Sequence, residues 1–212
     1  MPGRALRRTK QESEQTRQQI LRAARREFAR RGVARTTLQH IALTAGVTRG
    51  AIYWHFANKT ALFHAMREQV SVPLLDRMNF ALLSARDEDP LAAIGAFLKH
   101  LIESIADDRA TLRTFQIILF KCEYVDEFHS EFSRQTRRCL ELVSQLTSVY
   151  QRAKRAGVLR RELTPSVAAL DTCVFVSGLV RLFLIDNAAE LVRPHIGDLI
   201  AAHIAGRRAA EH

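Results

Sequence analysis

The sequence predicts an all-α chain of about nine helices, and three observations support this. No segment alternates apolar and polar residues with the period of two that marks a half-buried strand. Apolar residues recur instead at helical spacing, as Ile20, Ala24 and Phe28 do. Most of the nine glycines and five prolines fall where helices of that spacing would begin or end.

In chain order, Thr9-Lys-Gln-Glu12 has the form of a capping box and predicts a helix start there. Ile20, Ala24 and Phe28, flanked by Leu21, give that helix one apolar stripe, and Gly32 offers a left-handed C-cap. Thr36 or Thr37 caps a second helix over 38–45, with Ile41 and Ala42 facing inward and Gly46 ending it. Thr48 caps a third helix only a few residues later. Two short helices around a tight glycine turn make a helix-turn-helix.

Asn58 caps a fourth helix running from Lys59 through Leu62, Phe63 and Met66. Pro73 lacks an amide proton and frees the carbonyl of Gln69, so this helix is expected to bend or stop near it. Asp89-Pro90 and Thr164-Pro165 each pair a capping residue with a first-turn proline, opening helices over roughly 91–107 and 166–187. Between them come a short helix near 111–120 and a long one over about 125–156, closed by Gly157. Arg193-Pro194 opens a last helix over 196–207.

At 212 residues the chain suits one large or two small domains. With 47% apolar and 25% charged residues, its composition is that of a soluble globular protein. The net charge of +10 is unevenly placed: residues 1–60 hold 13 Lys/Arg against 3 Asp/Glu, and the remainder holds 19 of each. All the excess lies in the first quarter, which points to a polyanion, nucleic acid before an acidic membrane surface.

Cys122, Cys139 and Cys173 are odd in number and widely spaced with no Cys-x-x-Cys pair, which argues against a disulfide framework or zinc site and fits a reducing, cytoplasmic compartment, with three ordinary buried thiols as the first reading and a redox sensor as the alternative. The basic N-terminus has no apolar stretch behind it and does not read as a secretory signal. The apolar run 167–185 is broken by Asp171 and Arg181, making a poor membrane span and a good buried helix. No catalytic motif, phosphate loop or pair of histidines at metal-ligand spacing occurs, so no enzyme activity, cofactor or metal is expected.

The stretch 46–56, GVTRGAIYWHF, concentrates aromatic residues beside a cation. On the third helix Ile52 and Phe56 share one face over Val47 and read as core, whereas Arg49 and Tyr53 share another. In a helix-turn-helix the second helix enters the major groove with its N-terminal residues at base edges. Arginine there binds guanine through two hydrogen bonds, and Gly50 lets the backbone come close. The Tyr53 hydroxyl, the His55 ring and the Lys59 ammonium suit phosphates. Trp54 fits an inward-packing aromatic as well as it fits DNA.

Residues 36–63, TTLQHIALTAGVTRGAIYWHFANKTALF, closely resemble the DNA-binding motif of TetR-type transcriptional repressors, and 46–56 look most like the AcrR-like multidrug-efflux branch. The likeness continues more weakly through 118–128. The resemblance implies a DNA-binding domain over 1–63 and a helical ligand-binding and dimerisation domain over 64–212. The basic residues ahead of the motif, Arg4, Arg7, Arg8 and Lys10, read either as an arm (1–9) near the DNA backbone or minor groove or as a disordered tail. It carries the DNA contacts to Thr37, Arg49, Gly50, Tyr53, His55 and Lys59. His40 departs from the acidic residue common in the family, which would complement the positive end of the second helix. A histidine there gives up that stabilisation, and a phosphate contact is the alternative use.

The resemblance also implies a homodimer, a palindromic double-stranded operator and release by a small lipophilic inducer. Met66, Val70, Phe97, Phe115, Phe120 and Tyr124 are the candidate ligand walls, with Glu68, Glu103 or Glu123 available to a cationic inducer. The last two helices, with Ala168, Ala169, Ser177 and Gly178 permitting close approach, are the candidate dimer interface. A constitutively bound or DNA-compacting protein is the alternative: it would show weak sequence preference and no ligand response.

Overall fold

The computed structural model describes residues 2–84 and 89–210, of which the side chains of 2–9, 75, 77–81, 83, 84, 126 and 187 are not described. Ten α-helices are present among the described residues: α1 (Pro2–Arg31), α2 (Leu38–Ala45), α3 (Arg49–His55), α4 (Lys59–Ser84), α5 (Pro90–Asp107), α6 (Arg109–Phe120), α7 (His129–Arg155), α8 (Pro165–Phe183), α9 (Asp186–Val192) and α10 (Ile196–Ala205). Short 3₁₀ turns precede α7, at Asp126–Phe128, and α10, at Arg193–His195. The all-α expectation is met.

The capping residues act as their sequence positions indicated. Thr37, Thr48 and Thr164 accept from the amides of His40, Ala51 and Val167, and Asn58 and Asp89 accept from those of Ala61 and Leu91. Gly46 takes φ 66°, a conformation only glycine adopts without steric cost, and its amide closes α2.

Four boundaries differ from expectation. Helix α1 begins at Pro2, not at Thr9: Arg4, Ala5, Leu6, Arg7 and Arg8 are all good helix formers, and proline suits a first turn. Helix α4 runs through Pro73 instead of stopping there, because one missing amide removes only one of its many hydrogen bonds. The long helix expected from 125 starts at His129 behind the 3₁₀ turn. The helix expected over 166–187 ends at Phe183, and Ile185 opens the separate α9.

The chain divides into two compact units, Met1–Ser71 with Arg113–Glu131, and Val72–Leu112 with Phe132–His212. The first division falls within α4, two residues before Pro73, not at the 63/64 boundary drawn from the sequence. The first unit also takes in 113–131.

The core of the first unit gathers Ile20, Leu21, Ala24, Phe28, Ile41, Ile52, Leu62, Phe63, Met66 and Phe128, all buried. Phe63 meets Phe28 and Phe128 edge to face, with ring centroids 5.8 and 5.4 Å apart, the arrangement that aromatic quadrupoles favour. The first unit also holds a buried ion pair that the sequence did not reveal: Arg67 on α4 reaches the Glu131 carboxylate at 2.8 Å.

In the second unit α5, α7, α8 and α10 supply Leu91, Ile94, Leu98, Leu146, Val149, Cys173, Val176 and Ile200 to the interior. Tyr150, wholly buried, shares a 2.7 Å hydrogen bond with the Thr172 hydroxyl, which also meets His203 Nε2 at 3.0 Å. His203 stacks on Phe175, and burial pushes its pKa down to about 4. Arg207 pairs with Asp171, and Arg208 with Asp89.

Among the described residues α8 is the one helix long and apolar enough to cross a membrane. Its inner face, including Ala168, Ala169, Thr172 and Phe183, is packed into this unit.

Candidate nucleic-acid interface

Helix α3 is amphipathic over only seven residues, and that division makes the site. Ile52 is fully buried and Phe56 nearly so, anchoring one face in the first unit's core. The opposite face is open. Arg49 and Gly50 are exposed, Tyr53 is 46% exposed and Trp54 83%. That exposure removes the inward-packing reading of Trp54: the chain's one tryptophan stands in solvent. Arg49 Nη2 donates to the Tyr53 hydroxyl at 2.9 Å, so the guanidinium is held along the helix face.

Gly50 sits beside it with room to spare. A Cβ there would meet only Thr48 Oγ1, at 3.8 Å, so nothing inside the unit requires glycine. The bare backbone on this exposed turn leaves room for close approach of a partner.

The supporting helices are tied to this face. Glu27, on α1, accepts from Arg30, Arg31 and the Thr44 hydroxyl of α2. Burial raises the Glu27 pKa, but the hydrogen bonds from Arg31, Arg30 and Thr44 outweigh it and hold the carboxyl below its ordinary range. Gln19 adds a 2.6 Å bond to the Ala45 carbonyl at the end of α2. Together these tie α1 to α2, the helix that precedes α3 across the Gly46 turn.

Thr37, Lys59 and His55, expected as contacts, and His40, the alternative one, all have partners inside the unit. Thr37 is exposed, but its hydroxyl caps α2. His40 completes a capping box by accepting the Thr37 amide at Nδ1, 3.3 Å away. The departure at His40 thus keeps the cap geometry while losing the negative charge. Lys59, expected as a free point charge, donates to the Ala34 carbonyl at 3.3 Å and pairs with Glu127 at 3.2 Å. His55 ends α3, half-buried, its ring tilted against Phe56.

The candidate ligand residues are divided between the units. In the first, Met66 is fully buried in the core, Val70, Phe115 and Phe120 are half-buried, and the half-buried Tyr124 donates to the Ile118 carbonyl at 2.9 Å. Burial pushes the neighbouring Cys122 thiol up to about 11 and raises the Tyr124 hydroxyl as well. Phe97 lies in the core of the second unit, 1% exposed.

Two cavities of the second unit are lined by other residues. One, about 720 Å³, is an open groove along Ala92, Gly95, Ile200 and Ile204. The other, about 330 Å³, is bordered by Ile102, Glu103, Phe183 and Arg193. Among the described residues no cluster of three or more His, Cys, Asp or Glu is placed to hold a metal.

On the outer side of α8 and beyond it, Val167, Leu170, Val174, Leu182 and Leu199 are exposed. Ser177 and Gly178 share that exposure, but Ala168 and Ala169, expected to ease helix approach on this face, point inward. The helical period places them on the opposite side from Val167 and Leu170.

Comparison with known proteins agrees with this architecture. Residues 20–66 match the model for bacterial regulatory proteins of the tetR family, and residues 89–204 match the C-terminal region of MAATS-type transcriptional repressors. The chain is 38% identical to the HTH-type transcriptional regulator TtgR of Pseudomonas putida over 180 residues, 85% of each protein. It superimposes with a TM-score of 0.82 on NalD, described as the secondary repressor of the MexAB-OprM multidrug efflux pump in Pseudomonas aeruginosa, at 30% identity over 92% of this chain and 98% of that one. SmeT, described as the repressor of the Stenotrophomonas maltophilia efflux pump SmeDEF, is also similar. In its complex with triclosan it gives a TM-score of 0.73 at 28% identity, covering 91% of each chain. With an exposed α3 on a basic helix-turn-helix unit and matches that together span most of its length, the chain belongs to the TetR family of bacterial transcriptional regulators.

Proposed function

We propose that the chain is a ligand-released repressor of a multidrug efflux operon, binding a palindromic operator as a homodimer in the cytoplasm and catalysing no reaction. The observation that carries the DNA-binding part is the open face of α3, where Arg49, Gly50, Tyr53 and Trp54 stand clear of the core. That face lies in the quarter of the chain that holds all the excess positive charge. Arg49 and Gly50 meet base edges; Thr37, Tyr53, His55 and Lys59 meet phosphates.

One helix-turn-helix reads too few bases for specificity, so two copies sit about one helical turn apart, ~34–36 Å, or a multiple of that. The exposed apolar row on α8, together with α10, supplies the dimer face.

The inducer is apolar and aromatic, in keeping with the triclosan held by SmeT. Phe115, Phe120 and Tyr124 supply its walls, with Val70 and, after displacement from the core, Met66. Tenfold weaker operator binding needs about 1.4 kcal/mol of differential ligand affinity, within the usual coupling of ~1–3 kcal/mol.

Footprinting of the DNA flanking the gene, with and without a panel of lipophilic dyes and antimicrobials, tests the reading. A two-fold-symmetric footprint erased by at least one compound supports it. Weak, sequence-indifferent protection with no response to any compound favours the constitutive DNA-binding alternative.

A further inference from the structure

Two thiols touch in the second unit. Cys139 lies on α7 and Cys173 on α8, with their sulfurs 3.5 Å apart; Cys139 is exposed and Cys173 buried. The sequence presents three separate cysteines 17 and 34 residues apart, and only the packing of α7 on α8 pairs two of them. Cys122 belongs to the first unit. Neither Cys139 nor Cys173 has a part in the DNA-reading face or the ligand walls. Both are carried on regular helices that also meet through Tyr150 and Thr172, so the pair rests on packed elements and not on loops. The sulfurs need to approach by about 1.5 Å to reach the ~2.0 Å of a covalent bond, a movement that side-chain rotation supplies.

We infer that Cys139 and Cys173 form a peroxide-responsive dithiol that closes into a disulfide between α7 and α8 within one chain. The difference in exposure orders the steps. Cys139 meets the oxidant: its thiolate attacks one peroxide oxygen, an S–O bond forms, the O–O bond breaks and hydroxide leaves. The Cys173 sulfur then attacks the Cys139 sulfenic sulfur. The S–S bond forms, the S–O bond breaks, and the departing hydroxide takes the Cys173 proton as water. Overall two thiols lose two electrons and two protons, and one hydrogen peroxide becomes two waters.

Burial, and then the adjoining Cys139 sulfur, raise the Cys173 thiol to about 11. It therefore stays protonated at neutral pH and serves as the resolving partner, not the first target. In a reducing compartment such a bond is transient and signals oxidant. It would staple α8, whose outer face carries Val167, Leu170 and Val174, and so act on the second unit independently of a lipophilic inducer.

The test uses the reduced full-length protein treated with a few-fold excess of hydrogen peroxide, then thiol counting after denaturation, intact mass and non-reducing peptide mapping. The expected result is loss of two of the three thiols and of two hydrogens in mass. Mapping should give one cross-linked Cys139–Cys173 peptide pair and a raised melting temperature, both reversed by dithiothreitol. Cys122→Ser should leave this unchanged. Cys139→Ser should abolish it with Cys173 still reduced, and Cys173→Ser should stop at a Cys139 sulfenic acid that dimedone traps. A Cys139–Cys139 bond between two chains, or over-oxidised Cys139 beside an intact Cys173 thiol in the wild type, would overturn the inference. Peptide mapping of the wild type decides even if a serine variant fails to fold.

Discussion

Arg49 donates to the Tyr53 hydroxyl across 2.9 Å, one helical turn along the exposed face of α3. The contact restrains a long side chain in the free protein, and in the proposed DNA complex that lowers the entropy lost on binding. Arg49→Ala is expected to cost roughly 1–3 kcal/mol of operator affinity and to relax preference at one base pair. Arg49→Lys should keep the salt dependence but lose that preference, because an ammonium cannot make the paired contact. Titrations against operator and random duplexes at several salt concentrations read both quantities; an unchanged ratio in Arg49→Ala would place the reading residue elsewhere.

Gly50→Ala separates folding from recognition. An added methyl group meets only Thr48 Oγ1, at 3.8 Å, and in the first turn of α3 alanine is favoured over glycine by up to about 1 kcal/mol, the value for a helix interior. The variant should therefore melt at the same temperature or higher while binding operator more weakly. Equal or tighter DNA binding would mean that no partner backbone comes close at this position.

Lys59 and Glu127 test how far an internal ion pair masks a phosphate contact. The pair is 3.2 Å long, with the lysine side chain only 16% exposed. Lys59→Ala should weaken all sequences alike, lower the salt slope by about one and cost up to ~1 kcal/mol of stability. Glu127→Gln releases the ammonium and should tighten binding to operator and random DNA together. If Glu127→Gln leaves both unchanged, Lys59 serves the fold alone.

The Glu27 carboxyl supplies a pH dependence. Its folded pKa lies below the ordinary 4.5 despite burial, because Arg31, Arg30 and Thr44 bond to the charged form. A depressed carboxylate contributes stability that is fully present above the unfolded pKa and is lost as pH falls through the folded one. Glu27→Gln should therefore be less stable than wild type at neutral pH, with the gap constant down to about pH 5 and narrowing below it. Denaturant melts across that range measure the gap; one that does not change with pH would remove Glu27 from the acid response.

What the sequence determined by itself was local and periodic. The caps at Thr48, Asn58, Asp89 and Thr164, the glycine turn at 46 and the core stripe of Ile20, Ala24 and Phe28 all follow from neighbours within one or two turns. The division of α3 into a buried Ile52–Phe56 face and an open Arg49–Tyr53 face follows from the same short-range geometry, which is why the proposed DNA-reading side was legible.

Tertiary structure alone decided whatever depends on partners far apart in the chain. It exposed Trp54, engaged Lys59 with Glu127, buried Arg67 against Glu131 and brought Cys139 to Cys173. It also carried α4 past Pro73 and turned Ala168 and Ala169 inward. Periodicity reports which face of a helix is apolar, but not which helix covers it. Charge pairs and sulfur contacts form only where packing has set the distance, and residues 64 or more positions apart, such as Arg67 and Glu131, share no local signal from which their meeting could be read.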